Sequence, residues 1–319
     1  MRVVTLEEHF VVPSLIQKAG IGGGFAKSLD PEIRAALGNL GAARLRAMDD
    51  ADITVQVLSA AAPGADLLDG QAGVEFAAAT NDALAEAVRK HPLRYAGFAH
   101  LPMRSPEAAA DELERAVSRL GFRGALINGT TQGLFLDDER FAPILARAEK
   151  LDMPIYIHPA LPPESVRKAY YDGLPGNRGF LLSMAGFGWH VEVGLHVLRM
   201  VLAGTFERHP RLKVVIGHMG ETLPFMLDRA EQVFGGQQKP AAVKETILKH
   251  VWLTTSGFFT LPPFLNALLT FGADRIRFSV DYPFSEPREG RDFLAGLPLS
   301  EADREKIAHR NADQLLRLS

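Results

Sequence analysis

The chain has 319 residues, 47% hydrophobic and 23% charged, which is enough to bury a large core. A formal charge of −3 and the lack of any Lys/Arg run offer nothing to a polyanion, so nucleic acid is not an expected partner. With no cysteine there is no disulfide, thiolate nucleophile or thiolate-held metal, and any metal must be held by His, Asp and Glu.

The chain opens without a basic stretch leading into a long apolar run, and no apolar run reaches the ~18 residues needed to cross a bilayer. A soluble cytoplasmic protein with no membrane partner is expected. Short β-branched or aromatic runs then recur in order: "RVVTL" (2–6), "ITVQVLS" (53–59), "YAGFAHL" (95–101), "FRGALIN" (122–128), "PIYIH" (154–158), "LKVVIGH" (212–218), "VWLTTS" (251–256) and "RIRFSVD" (275–281). Between them lie helical patterns at 73–91, 105–120, 138–151 and 190–209. Ser105 reads as an N-cap with Pro106 at the first helical position. Eight βα units with nearly continuous apolar strands fit a closed (β/α)8 TIM barrel, an α/β fold, with an open doubly wound sheet as the competitor.

The strand ends favour the barrel. Glu7 and His9, Ser59, His100, Asn128, His158, His218, Ser256 and Asp281 all fall at or just beyond the C-terminal ends of their strands. A barrel gathers those ends at one mouth, whereas an open sheet would string them along an edge. The expected organisation is one domain over 1–319, with insertions at about 10–50 and 162–189 that could lid the mouth. "GIGGGF" (20–25) lacks the spacing of a phosphate loop and reads as a flexible surface loop.

Glu7 and His9 are two apart and project to one face of an extended strand, while Glu8 points the other way. With His158 and Asp281 they offer four ligands for one divalent ion. This mix suits zinc, manganese or iron, and the carboxylate-rich set favours manganese over zinc. Each residue alone has a plainer explanation. A strand-end histidine often bonds a loop carbonyl, and carboxylates cap helices or join ion pairs. It is the coincidence of all four at one barrel end that points to a metal.

"LEEHF", "YIHPALPP" (156–163), "VIGHMGETLPFMLDR" (215–229), "TTSGFF" (254–259) and "RFSVDYPF" (277–284) together resemble the metal-dependent amidohydrolase superfamily. More narrowly they resemble the branch that contains gamma-resorcylate, 5-carboxyvanillate and aminocarboxymuconate-semialdehyde decarboxylases. The resemblance implies a single metal, Zn or Mn, on Glu7, His9, His158 and Asp281. It also implies a His218–Glu221 hydrogen-bonded pair and Arg229 as a substrate-facing cation, within or across subunits. No Lys ends strand four to bridge two metals, since "FRGALIN" closes on Asn128.

The implied reaction is non-oxidative decarboxylation of a hydroxylated aromatic acid, with Asp281 protonating the ring carbon and His218, braced by Glu221, supporting it. Asn128 and His100 are the further substrate-facing candidates. Hydrolysis of a lactone, ester or amide by metal-bound hydroxide is the rival. A hydratase of a small dicarboxylate and an inert ligand-binding barrel are more distant ones. His196 and Arg199 read as helix-surface residues, and His190 as a residue that could line the pocket. A homodimer or homotetramer is expected, with "GFFTLPPF" (257–264) as an apolar interface.

Overall fold

The computed structural model describes residues 1–21, 29–237 and 242–318. Among these the strands are β1 (Val4–Phe10), β2 (Val55–Ala60), β3 (Tyr95–Gly97), β4 (Ala125–Asn128), β5 (Ile155–His158), β6 (Val214–Ile216), β7 (Val251–Thr254) and β8 (Ile276–Arg277). All neighbours pair in parallel, in two sheets of order β1-β2-β3 and β4-β5-β6-β7-β8. One seam between the sheets is the parallel bridge Ala99–Ala125 and the other is Glu8–Tyr282. The expected TIM-barrel order is therefore present, with the ring completed by single bridges in place of continuous ladders.

Side-chain alternation sorts the strands into two cores. Val4, Leu6, Val55, Val57, Phe98, Leu126, Tyr156 and Val215 form the inner cluster, and Ile127, Ile155, Ile157, Val214 and Ile216 pack outward against helices. The helix Pro106–Leu120 shows why the outer layer closes well. Its buried stripe of Ala109, Ala110, Leu113 and Ala116 lets backbones approach, and Gly121 ends it at φ +74°. Ser105 does sit at its N-cap, its carbonyl accepting from the Ala109 amide at 2.8 Å, but its side chain makes no cap bond.

Two elements differ from expectation. The helix expected over 190–209 runs Gly188–Leu202, breaks at Gly204 (φ +73°) and resumes as Thr205–Arg208. The segment 162–189, expected as a loop, carries the helices Glu164–Tyr170 and Arg178–Ser183. In the first insertion, helices Pro13–Ala19, Pro31–Leu37 and Ala42–Asp50 are present, while residues 22–25 of "GIGGGF" lie outside the described residues. No described helix is long and apolar enough to cross a membrane.

Candidate metal centre and active site

The first strand contains an irregularity that builds the site. Its register against β2 shifts between Thr5 and Glu8. Leu6 belongs to the inner cluster, so strict alternation would send Glu8 inward. The bulge resets the parity, and Glu7 and His9 enter the barrel instead. Glu8 turns outward as expected, but it is buried and engaged. It accepts from the Val280 amide at 2.9 Å, the Tyr282 amide at 3.3 Å and Gln56 Nε2 at 3.3 Å, sealing the β1–β8 seam.

Glu7, His9, His158 and Asp281 bring one donor atom each to within 4.8 Å of one another. His158 Nε2 lies 3.3 Å from Glu7 Oε1, and His9 Nε2 lies 3.2 Å from Asp281 Oδ1. Glu7 Oε1, His9 Nε2 and Asp281 Oδ1 are buried without any hydrogen-bond partner. Buried polar atoms are rarely left so, and three converging on one point fit a divalent ion. The donor set, two carboxylates and two imidazoles, suits a single ion such as manganese.

Three of these candidate ligands, Glu7, His158 and His9, are also held through their other atoms. Glu7 Oε2 accepts from the Ser256 hydroxyl at 2.6 Å and from the Tyr156 hydroxyl, which also contacts Thr254 Oγ1 at 2.7 Å. Gly217 is required here, because a Cβ would stand 2.5 Å from Glu7 Oε2. Asn128 Oδ1 lies 3.1 Å from His158 Nδ1 and so fixes the N–H there, leaving the Nε2 lone pair toward the cluster. Ser59 Oγ sits 3.4 Å from His9 Nδ1.

Burial opposes charge on Glu7, yet the surrounding imidazoles of His218, His158 and His9 outweigh it and hold the carboxyl well below its usual range. His9 is likewise disfavoured as a cation by burial, but Asp281 and Glu7 raise it to about 9. Against the same burial penalty, Glu221, Glu7 and Asp281 raise His218 to about 10. The Tyr156 hydroxyl is pushed far up by burial and by the Glu7 charge, so it remains a donor.

The expected His218–Glu221 pair is present, Nδ1 to Oε1 at 2.9 Å, with His218 Nε2 3.6 Å from Glu7 Oε1. A residue the sequence reading undervalued joins it. His190 Nδ1 lies 2.6 Å from Glu221 Oε2. "GFGWH" placed His190 at the start of the helix expected over 190–209, and nothing in that string marked its partner.

The other candidates have the following places. Asn128 spends its Oδ1 on His158. His100 is 3% exposed and its Nε2 accepts the Ala65 amide at 2.9 Å, so through that nitrogen the ring anchors the loop after β2. Burial lowers it to about 4, which suits an acceptor. His196 is not a surface residue. It is fully buried and accepts the Leu136 amide at 2.8 Å. Arg199 is half-exposed and pairs with Asp137 at 2.8 Å. Arg229 is exposed on the helix Leu223–Gly235, with no hydrogen bond or ion pair among the described residues. Within "GFFTLPPF", Phe264 is core and Leu261 is exposed, and Leu265 and Leu269 are exposed further along the same helix.

An amidohydrolase family profile matches residues 9–318. The chain belongs to the amidohydrolase family. It is 37% identical to decarboxylase orsB of Emericella nidulans, over 99% of this chain and 97% of that one. It is also 37% identical to gamma-resorcylate decarboxylase of a Polaromonas species, over 99% and 98%. A solved dihydroxybenzoic acid decarboxylase from Polaromonas, with bound manganese and the inhibitor 2-nitroresorcinol, superposes with a TM-score of 0.89 at 36% identity, covering 99% of this chain and 97% of that one. This amidohydrolase therefore shares its whole length, and not a fragment, with the decarboxylase branch.

Proposed function

We propose that this amidohydrolase releases carbon dioxide from a hydroxylated aromatic carboxylic acid, using one divalent ion, manganese by preference, on Glu7, His9, His158 and Asp281. The observation that carries the reading is the convergence of Glu7 Oε1, His9 Nε2 and Asp281 Oδ1, buried and unpartnered, in a chain related end to end to such decarboxylases.

When bound, the ion would supply positive charge that attracts the substrate's carboxylate and draws electron density from the ring. Asp281 gives a proton to the ring carbon bearing the carboxylate. The bond from that carbon to the carboxylate then breaks, carbon dioxide leaves, and the bonding pair restores the aromatic ring. His218 Nε2, 3.9 Å from Asp281 Oδ2, is placed to return a proton to Asp281, and Glu221 orients it. Phe258 packs edge-on against His218 at 5.7 Å between centroids.

An assembly of copies is supported by the exposed Phe225, Met226, Leu261 and Leu269. Arg229, on the helix that carries Phe225, is then available to a substrate bound in a neighbouring copy. Light scattering tests this, and a monomer at micromolar concentration removes that role for Arg229. For the reaction, manganese-loaded protein is offered 2,3- and 2,6-dihydroxybenzoate and 5-carboxyvanillate while carbon dioxide is followed, beside a panel of lactones and esters. Carbon dioxide release is expected. Ester or lactone turnover without it would reverse the assignment.

A further inference from the structure

Glu221 is buried, and each of its carboxylate oxygens is met by a different imidazole, His218 Nδ1 on Oε1 and His190 Nδ1 on Oε2. The other nitrogen of His190 lies 3.1 Å from the carbonyl of Ala185. A carbonyl only accepts, so that Nε2 carries hydrogen. A 2.6 Å contact between Nδ1 and a carboxylate oxygen also needs a proton between them. The His190–Glu221 pair therefore holds one proton beyond a neutral imidazole and a carboxylate, and its net charge is zero.

The turn that presents this pair is itself unfavourable. His218, Met219 and Glu221 have φ of +50°, +59° and +60°, a left-handed run that non-glycine residues avoid. Such a turn persists only when its side chains are tied, and Glu221 is the tie. The His190 ring also packs edge-on against His218 at 4.9 Å and Phe258 at 5.1 Å.

We propose that His190 is a positioning residue. Through its Nδ1–H it holds Glu221 as a fixed, charge-balanced acceptor, so that His218 keeps one ring orientation with Nε2 toward Glu7 and Asp281. The Ala185 carbonyl, in the segment between the helices Arg178–Ser183 and Gly188–Leu202, locks His190 in turn. The kinetic consequence rests on the decarboxylase reading, while the pairing itself does not.

Two variants separate the hydrogen bond from the packing. His190→Asn keeps an N–H near the place of Nδ1 and loses the ring; His190→Phe keeps a ring and loses both N–H groups. In manganese-loaded enzyme, His190→Phe is expected to lower kcat about 10- to 100-fold, the range for losing a group that orients an active imidazole, with KM and metal content within about twofold. His190→Asn should recover most of that loss. The reverse order, or a His190→Phe enzyme equal to wild type, overturns the proposal.

A readout without turnover uses ¹⁵N-histidine-labelled protein loaded with diamagnetic zinc. The His218 ring N–H resonance should shift and exchange faster with solvent in His190→Phe but not in His190→Asn. An unmoved resonance overturns the proposal even if no aromatic acid is a substrate, and a moved one supports it in that same case. A second equivalent of metal bound by wild type and lost in His190→Phe would make the trio a metal site and overturn it as well.

Discussion

The Asp281 amide donates to the Glu7 carbonyl across 3.0 Å, and the His9 amide donates to the Tyr282 carbonyl across 2.7 Å. The same residues that close the β1–β8 seam thus carry three of the four candidate ligands. Closure and metal binding are one geometric event: whatever separates β1 from β8 also separates Glu7 from Asp281.

Chelation is therefore expected to act on the fold as well as on turnover. An ion that binds only the folded chain stabilises it by RT ln(1 + [L]/Kd), about 2.7 kcal/mol at one hundred times Kd. Removing metal should lower Tm by several degrees and abolish activity, and one equivalent of manganese should restore both. Metal analysis with differential scanning calorimetry checks this. A metal-free protein that keeps its Tm and binds less than about a tenth of an equivalent would speak for the inert reading.

Tyr156→Phe isolates the support beneath Glu7. The ring stays in its buried inner position and only the hydroxyl that donates to Glu7 Oε2 is lost. Glu7 keeps the Ser256 bond but gains freedom to rotate. Metal affinity should fall about 10- to 100-fold, the usual effect of removing a ligand's outer partner. Calorimetric titration of metal-free protein gives the number, and an unchanged Kd would mean that Ser256 alone orients Glu7.

Much of this centre was legible because it rests on period-two alternation within strands and on where strands end. Glu7 and His9 facing together, His158 ending β5 and Asp281 after β8 all follow from those two rules. The bulge between Thr5 and Glu8 was not legible, since no Gly or Pro marks it, and the Glu7 and His9 facing is correct only because of it. The roles of His100 and His196 were hidden for another reason. A histidine that accepts a backbone amide looks like any other in sequence, and only the partner loops, at Ala65 and Leu136, reveal its job. The helix break at Gly204 lost to the helical apolar period running on both sides of it.

Asp281→Asn tests the proposed proton donor against the ligand role. An amide oxygen can still face the ion, but the side chain no longer yields an acidic proton. Turnover should fall more than about 10²-fold, the lower end for losing a general acid, while manganese remains bound at one equivalent. Carbon dioxide release and metal content are measured on the same sample. Loss of the metal together with activity would make Asp281 a ligand first, and the proton would have to come from His218.

Two carboxyls outside the metal set, Glu8 and Glu192, are both pushed up to about 7 by burial, yet they should answer substitution in opposite ways. A carboxyl raised in the folded state adds stability that is full below its ordinary value near 4.5, and that stability is lost as pH rises through about 7. At pH 8 each is therefore a buried anion. Glu192 Oε1 has no partner, so Glu192→Gln removes a cost and should raise Tm at pH 8 while changing little at pH 4. Glu8 faces donors on both oxygens: Val280 N on one, Tyr282 N and Gln56 Nε2 on the other. Gln56 cannot turn to accept, because its own oxygen already receives Arg44 at 3.2 Å. A glutamine at position 8 must point its amide hydrogens at one set, so Glu8→Gln should cost about 1–3 kcal/mol at both pH values. Thermal melts of the two variants from pH 4 to 9 decide it. A pH-independent effect of Glu192→Gln would place that carboxyl in contact with a donor, and a harmless Glu8→Gln would mean that the seam is held by backbone bonds alone.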